Sequence, residues 1–151
     1  MEIAFTKVNL PYGWLGNMSP FPVNYDNEIY KTAEHLFQRM RLPLNHPGRQ
    51  EIKEQKSPMA AKMVSKKYVK DFITVPCSEE DVKNMLMVLY AKLDTNPQLV
   101  LYLEDTKYKT IIEDSTKRQR GSGLFWGAAK INGVWKGDNV LGELWMMIRD
   151  T

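Results

Sequence analysis

Apolar residues recur at helical spacing in several stretches of the chain. Ala33, Leu36, Phe37 and Met40 fall at i, i+3, i+4 and i+7, which predicts one apolar face of a short helix over 32–41. Glu34, Gln38 and Arg41 fall on another face of it. Thr32 is placed to cap its start, so Glu34 sits in the first turn, where the positive end of the helix dipole favours a carboxylate. The cap and acids Ser78-Glu79-Glu80-Asp81 precede Val82, Met85, Leu86, Leu89 and Leu93, which predicts the longest helix. Ser57-Pro58 predicts a helix start with proline at the first helical position. A short helix is expected over 49–55, and one through 99–103 capped by Asn96-Pro97. Leu141, Leu144, Trp145 and Ile148 mark a last helix with Asn139 as its N-cap. Short strands are predicted at 3–5 and 108–113. Two hairpins turn at Asp26-Asn27 and Asn132-Gly133. The stretch 10–20, rich in Gly and Pro, reads as a loop whose Tyr12 and Trp14 pack down or line a pocket. The pattern is α+β and mostly helical: a single domain over 1–151, with a few short strands beside the helices.

Composition narrows the function classes. At 151 residues the chain can bury one real core. Its 43% hydrophobic and 26% charged residues are ordinary for a soluble globular protein. A net charge of +3 fits a phosphate-bearing ligand but is too small to indicate nucleic-acid binding by itself. One cysteine, Cys77, excludes an internal disulfide, and with only His35 and His46 a Cys/His zinc site is not expected. No metal and no cofactor is expected. There is no signal-peptide pattern and no apolar run of membrane-spanning length, so the expected location is the cytoplasm, without a membrane partner.

The candidate chemistry lies near turns expected to converge: Glu34, Lys62, Lys92, Glu113, Trp126, Asp138 and Asn139. Each has a plainer reading. Lys92 could match the C-terminal dipole of its helix, and Lys62 could be a solvated face residue. Trp126 could be core, Glu113 could end a strand, and His35 reads as a structural histidine. Gly121-Ser122-Gly123 lacks the Gly-Lys-Ser/Thr ending of a P-loop. The helix start at Gly137-Asp138-Asn139 is better placed to hold an anion on backbone N–H groups. These pieces permit N-glycosidic bond cleavage without a metal. A carboxylate can stabilise charge growing at the sugar carbon or move a proton. A lysine can attack that carbon or hold a phosphate or hydroxyl. Trp126 or Trp14 can stack on a base.

The order of the motifs resembles the YbiA-like, or NADAR (NAD and ADP-ribose related), family. The matching stretches are Gly13-Trp14-Leu15-Gly16-Asn17-Met18-Ser19-Pro20, Thr32-Ala33-Glu34-His35-Leu36-Phe37-Gln38 and Ser57-Pro58-Met59-Ala60-Ala61-Lys62. They continue with Met85 and Ala91-Lys92-Leu93, Ile112-Glu113-Asp114-Ser115, Trp126-Gly127, and Gly137-Asp138-Asn139-Val140-Leu141-Gly142 with Met146-Met147-Ile148-Arg149. The resemblance implies a YbiA-like fold and N-glycosidase activity on early riboflavin-pathway intermediates or on ADP-ribosylated guanine. It implies Glu34 as the main catalytic carboxylate, assisted by Lys92, Lys62 and Asp138. Trp14, Asn17, His35, Gln38, Glu113, Trp126, Gly127, Gly137 and Asn139 would line the substrate site. The partner is then a small ribosylated or ADP-ribosylated molecule, with ADP-ribosylated nucleic acid a further candidate. The chain departs from the family pattern at Gly123, where an Asp is common, and at Cys77, where a Trp is usual. Two other function classes stay open. One is a binding module that holds NAD, ADP-ribose or a related nucleotide without turnover. The other is nucleic-acid binding through Lys117, Arg118 and Arg120.

Overall fold

The computed structural model describes residues 1–151. The architecture is α+β and mostly helical, and the chain divides into two compact units. One is built from both chain ends, Met1–Gly16 and Gln98–Thr151, and the other is the continuous Asn17–Pro97. No helix is long and apolar enough to cross a membrane.

The continuous unit opens with a hairpin in which β2 (Val23–Tyr25) pairs antiparallel with β3 (Glu28–Tyr30). Its two turn residues, Asp26 and Asn27, both have positive φ, at 52° and 62°, which is the conformation a two-residue turn needs and short polar side chains tolerate. Then come α1 (Ala33–Arg39), α2 (Gly48–Glu54), α3 (Pro58–Lys67) and α4 (Glu79–Thr95). Ser57 caps α3 by accepting from Ala60 N–H, and Ser78 caps α4 by accepting from Asp81 N–H, as their sequences predict. α4, at 17 residues, is the longest helix of the chain.

The helix α1 packs on α2, α3 and α4 together. Every residue from Ala33 to Arg39 is buried, those of the polar face with Glu34 and Gln38 as well as those of the apolar one. Leu36 and Phe37 are core; burying a side chain of that size contributes about 1.5–3 kcal/mol. The polar residues are buried because partners elsewhere in the unit meet them. Asn96 is also corrected. It closes α4 rather than capping the next helix, since its Nδ2 donates to the carbonyls of Lys92 (2.9 Å) and Pro22 (2.8 Å).

In the other unit, β1 (Glu2–Phe5) pairs in parallel with β4 (Thr110–Glu113), with Ile3 opposite Ile111 and Phe5 opposite Glu113. The strand starts at Thr110 rather than 108, because 106–109 make a turn in which Lys109 N–H donates to Thr106 O at 3.0 Å and Lys107 takes φ 50°. α5 (Gln98–Asp105) precedes β4. The short α6 (Gly123–Trp126), the hairpin β5 (Ala129–Ile131) with β6 (Val134–Lys136), and α7 (Val140–Asp150) follow it. Asn132 and Gly133 take positive φ at the second hairpin turn. α7 lies on β4 and buries Leu141, Leu144, Trp145 and Ile148. The Trp145 indole donates to Leu15 O at 2.9 Å, which removes the cost of burying its N–H. Trp14 is half-buried and meets Trp145 edge-on at 6.0 Å, while Tyr12 stays exposed, so only one of those two loop aromatics packs down.

Candidate active site

Glu34 stands in the first turn of α1, which starts where Thr32 Oγ1 accepts from His35 N–H. The dipole favours a carboxylate there, but burial works against its charge. Gln38, one turn on, donates from Nε2 to Glu34 Oε2 at 2.6 Å. Burial pushes the Glu34 carboxyl above the ordinary 4.5. The Gln38 hydrogen bond, then Lys62 and Arg41, pull it back down, and Asp81 adds a smaller upward push. Lys62 is half-buried on α3, not on a fully solvated face, and its charge reaches Glu34.

Lys92 lies one turn before the end of α4 and is fully buried. At its helix end this cation is enclosed rather than solvated. Its Nζ donates to Ser19 Oγ at 3.1 Å and stands 5.8 Å from the centre of the Phe21 ring. Burial lowers its pKa from the ordinary 10.5 to about 7. At neutral pH a large fraction of this amine is therefore unprotonated.

One three-residue segment serves both groups. Asn17 O accepts the Glu34 N–H at 3.0 Å, and Ser19 Oγ accepts from Lys92. Asn17 Nδ2 points to Met85 Sδ on α4 at 3.0 Å. Its Oδ1 is buried and accepts no hydrogen bond from the protein.

His35 is fixed by its neighbours. Gln55 O, an acceptor only, meets Nε2 at 2.9 Å, so Nε2 carries the proton. Nδ1 then accepts the Thr32 hydroxyl at 2.7 Å. Burial lowers its pKa, and both ring nitrogens are engaged in holding α1.

Sequence reasoning missed Asp81, which it read only as a first-turn acid. Asp81 is fully buried and grips Arg41 with both oxygens, Nε–Oδ1 at 3.0 Å and Nη2–Oδ2 at 2.7 Å. A polar residue at i+7 of a buried helix and an acid forty positions later give no local signal of their pairing.

Glu113, Trp126, Gly127, Gly137, Asp138 and Asn139 belong to the other unit, as does Trp14. There they form a knot of backbone contacts. Asn139 leads α7 with φ 51°, but its side chain does not cap the helix, correcting the expected role. It reaches across to β4 instead: Oδ1 accepts from Glu113 N at 2.9 Å and Nδ2 donates to Ile111 O at 2.8 Å. Gly142 makes room for this, since a Cβ there would run into Ile111 O and the Asn139 amide. A Cβ at Gly127 would run into Ser115 Oγ and Glu113 O. Glu113 is paired loosely with Arg118 at 3.7 Å. Trp126 is half-buried and edge-on to Phe125 at 4.9 Å. Gly137 and Asp138 are exposed. At Gly123, where an Asp was the expectation, a Cβ would collide with Arg118 O, so this loop is built around a glycine. Lys117, Arg118 and Arg120 are exposed. No group of three or more His, Cys, Asp or Glu side chains is arranged to hold a metal ion.

The NADAR domain family model matches residues 4–151. N-glycosidase YbiA of Escherichia coli (strain K12) is 29% identical over 150 residues, spanning 98% of this chain and 86% of that protein. N-glycosidase YbiA of Shigella sonnei (strain Ss046) matches with the same identity and coverage. The NMR structure of the E. coli protein YbiA aligns over 99% of this chain and 85% of that one, at 27% identity and a TM-score of 0.82.

Proposed function

Since this chain belongs to the NADAR domain family, we propose that it is an N-glycosidase that hydrolyses the bond between a ribose and a base, with Glu34 as its central carboxylate. The observation that carries this reading is the burial of two unlike titratable groups within one unit. Glu34 has a raised pKa and Lys92 a lowered one, and the Asn17–Ser19 segment touches both. Titratable groups pushed from their ordinary values in a buried setting are what acid–base chemistry near neutrality requires. Relatives named N-glycosidase bring the reaction class to this chain.

In the hydrolysis, the C1′–N bond breaks and positive charge grows on C1′ and the ring oxygen. The Glu34 carboxylate lies against that charge and takes a proton from the attacking water. The water oxygen joins C1′, and the proton passes to the departing base nitrogen. Lys62 is the cation nearest in influence to Glu34 and suits an anionic substrate, such as one carrying phosphate. The substrate class is a ribosylated base: a riboflavin-pathway intermediate, or an ADP-ribosyl adduct of guanine. Lys92, with a pKa of about 7, supports a second course for the same reaction. Its neutral amine attacks C1′, the base leaves with a proton, and water then releases the sugar from nitrogen.

The test is release of free base from NAD, ADP-ribosylguanosine and a ribosylaminopyrimidine phosphate, followed by chromatography. Glu34→Gln keeps the shape and removes the charge. It is expected to lower kcat/KM by about 10²–10⁴-fold. Because Glu34 must be ionised to act as a base, kcat/KM should fall as pH drops through a midpoint above 4.5. Undiminished turnover in Glu34→Gln refutes the assignment. Tight binding by calorimetry with no substrate consumed selects the non-catalytic nucleotide-binding reading.

A further inference from the structure

Behind Glu34 stands a chain of contacts with no direct role in the reaction above. Gln38 Nε2 donates to Glu34 Oε2, and Arg41 Nη1 approaches Gln38 Oε1 at 3.4 Å. Arg41 is in turn gripped by both oxygens of Asp81. Asp81 Oδ2 also accepts from Cys77 N at 2.8 Å, and the Arg41 guanidinium lies over the Phe37 ring at 4.6 Å. All four polar side chains are buried.

The donors and acceptors in this chain permit one orientation of the Gln38 amide. A guanidinium can only donate, so the amide oxygen must face Arg41. The amide N–H₂ must then face Glu34, which as a carboxylate can only accept. An amide turned over would present its oxygen to Glu34, and two acceptors can share a hydrogen bond only if Glu34 takes up a proton. The geometry points to Arg41 and Asp81 as a positioning pair that fixes the amide of Gln38, so that Gln38 offers its N–H to Glu34. The consequence for catalysis rests on the reading of Glu34 as the base; the positioning itself does not.

The charged groups facing Glu34 are Arg41 beyond the end of its own helix, Lys62 on α3 and Asp81 on α4. Their direct fields and the positioning effect make opposite predictions, which separates them. Arg41→Lys keeps the positive charge but cannot grip Asp81 and reach Gln38 together. Asp81→Asn removes a negative charge, which by its field alone lowers the Glu34 midpoint. Through loosening of Arg41 it raises that midpoint instead.

The experiment is a pH titration of the full chain with ¹³C-labelled glutamate carboxyls, read by NMR. The Glu34 signal is the one absent from Glu34→Gln. Arg41→Lys is expected to raise the Glu34 midpoint by about one pH unit, the scale of one strong hydrogen bond to a carboxylate. In a Gln38→Leu background it is expected to add nothing. Asp81→Asn is expected to move the midpoint up. An unmoved midpoint in Arg41→Lys, a shift that persists without Gln38, or a fall in Asp81→Asn overturns the proposal. If near-ultraviolet circular dichroism finds Arg41→Lys unfolded, the direction in Asp81→Asn decides alone. A midpoint that moves while the acid limb of kcat/KM does not upholds the positioning pair and refutes Glu34 as the base.

Discussion

A fully buried lysine makes the stability of this protein depend on pH in an unusual direction. Lys92 drops from the ordinary 10.5 in the unfolded chain to about 7 in the folded one, so between those values the unfolded state holds more of the proton. Stability therefore rises with pH across that window. The full difference corresponds to about 5 kcal/mol. About 3 kcal/mol of it falls between pH 6 and 9.5, worked from the two pKa values by proton linkage. Lys92→Met is unbranched and one atom shorter, fills nearly the same space and removes the titration. Urea denaturation of both proteins at several pH values in that range gives the two stability curves. The wild type is expected to gain about 3 kcal/mol on the variant's curve from pH 6 to 9.5, with the variant the more stable at the acid end. Parallel curves refute a buried, pKa-shifted Lys92. Measurement above pH 10 is uninformative, because burial also raises the Tyr30 hydroxyl well above its ordinary value.

Two further outcomes test the other unit by denaturant unfolding. Asn139→Ala leaves Glu113 N and Ile111 O without their side-chain partner and is expected to cost about 2–5 kcal/mol. Asn139→Gly should cost about 1 kcal/mol less, since it relieves the left-handed backbone, and equal costs would refute that strain. Gly123→Ala drives a Cβ into Arg118 O and should cost about 1–3 kcal/mol. Gly121→Ala meets nothing within 4 Å and should cost less, chiefly through its φ of +60°. The reverse order would refute the tight approach at Gly123.

The elements were legible in the sequence because their signals are local. Thr32, Ser57 and Ser78 announce helix starts by hydrogen-bonding three residues ahead. Asp26-Asn27 and Asn132-Gly133 announce turns because few residues accept positive φ. Glu34 could be singled out because a first-turn acid has a known electrostatic reason to be there. What escaped was set by partners distant in sequence. Arg41 was placed on the face of Glu34 and Gln38, but nothing local announced the Asp81 that grips it from α4. Lys92 could be read locally as a match to its helix dipole, and its enclosure by Ser19 and Phe21 carried no local signal. Asn139 has the residue type of a cap, yet bonding to β4 outcompeted that local role. The assignment of the candidate residues to two compact units also carries no local signal.

The pairing of β1 with β4 constrains the order of events during synthesis. Asn17–Pro97 is contiguous and can begin folding as soon as it clears the ribosome. The first sixteen residues must wait, because the strand that receives Glu2–Phe5 begins at Thr110. At ordinary elongation rates that delay is about 5–20 s, during which Ile3 and Phe5 are exposed. A slow codon cluster or a stall before Thr110 would lengthen the exposure of this amino-terminal stretch, and a truncation at either terminus would dismantle the same half of the molecule.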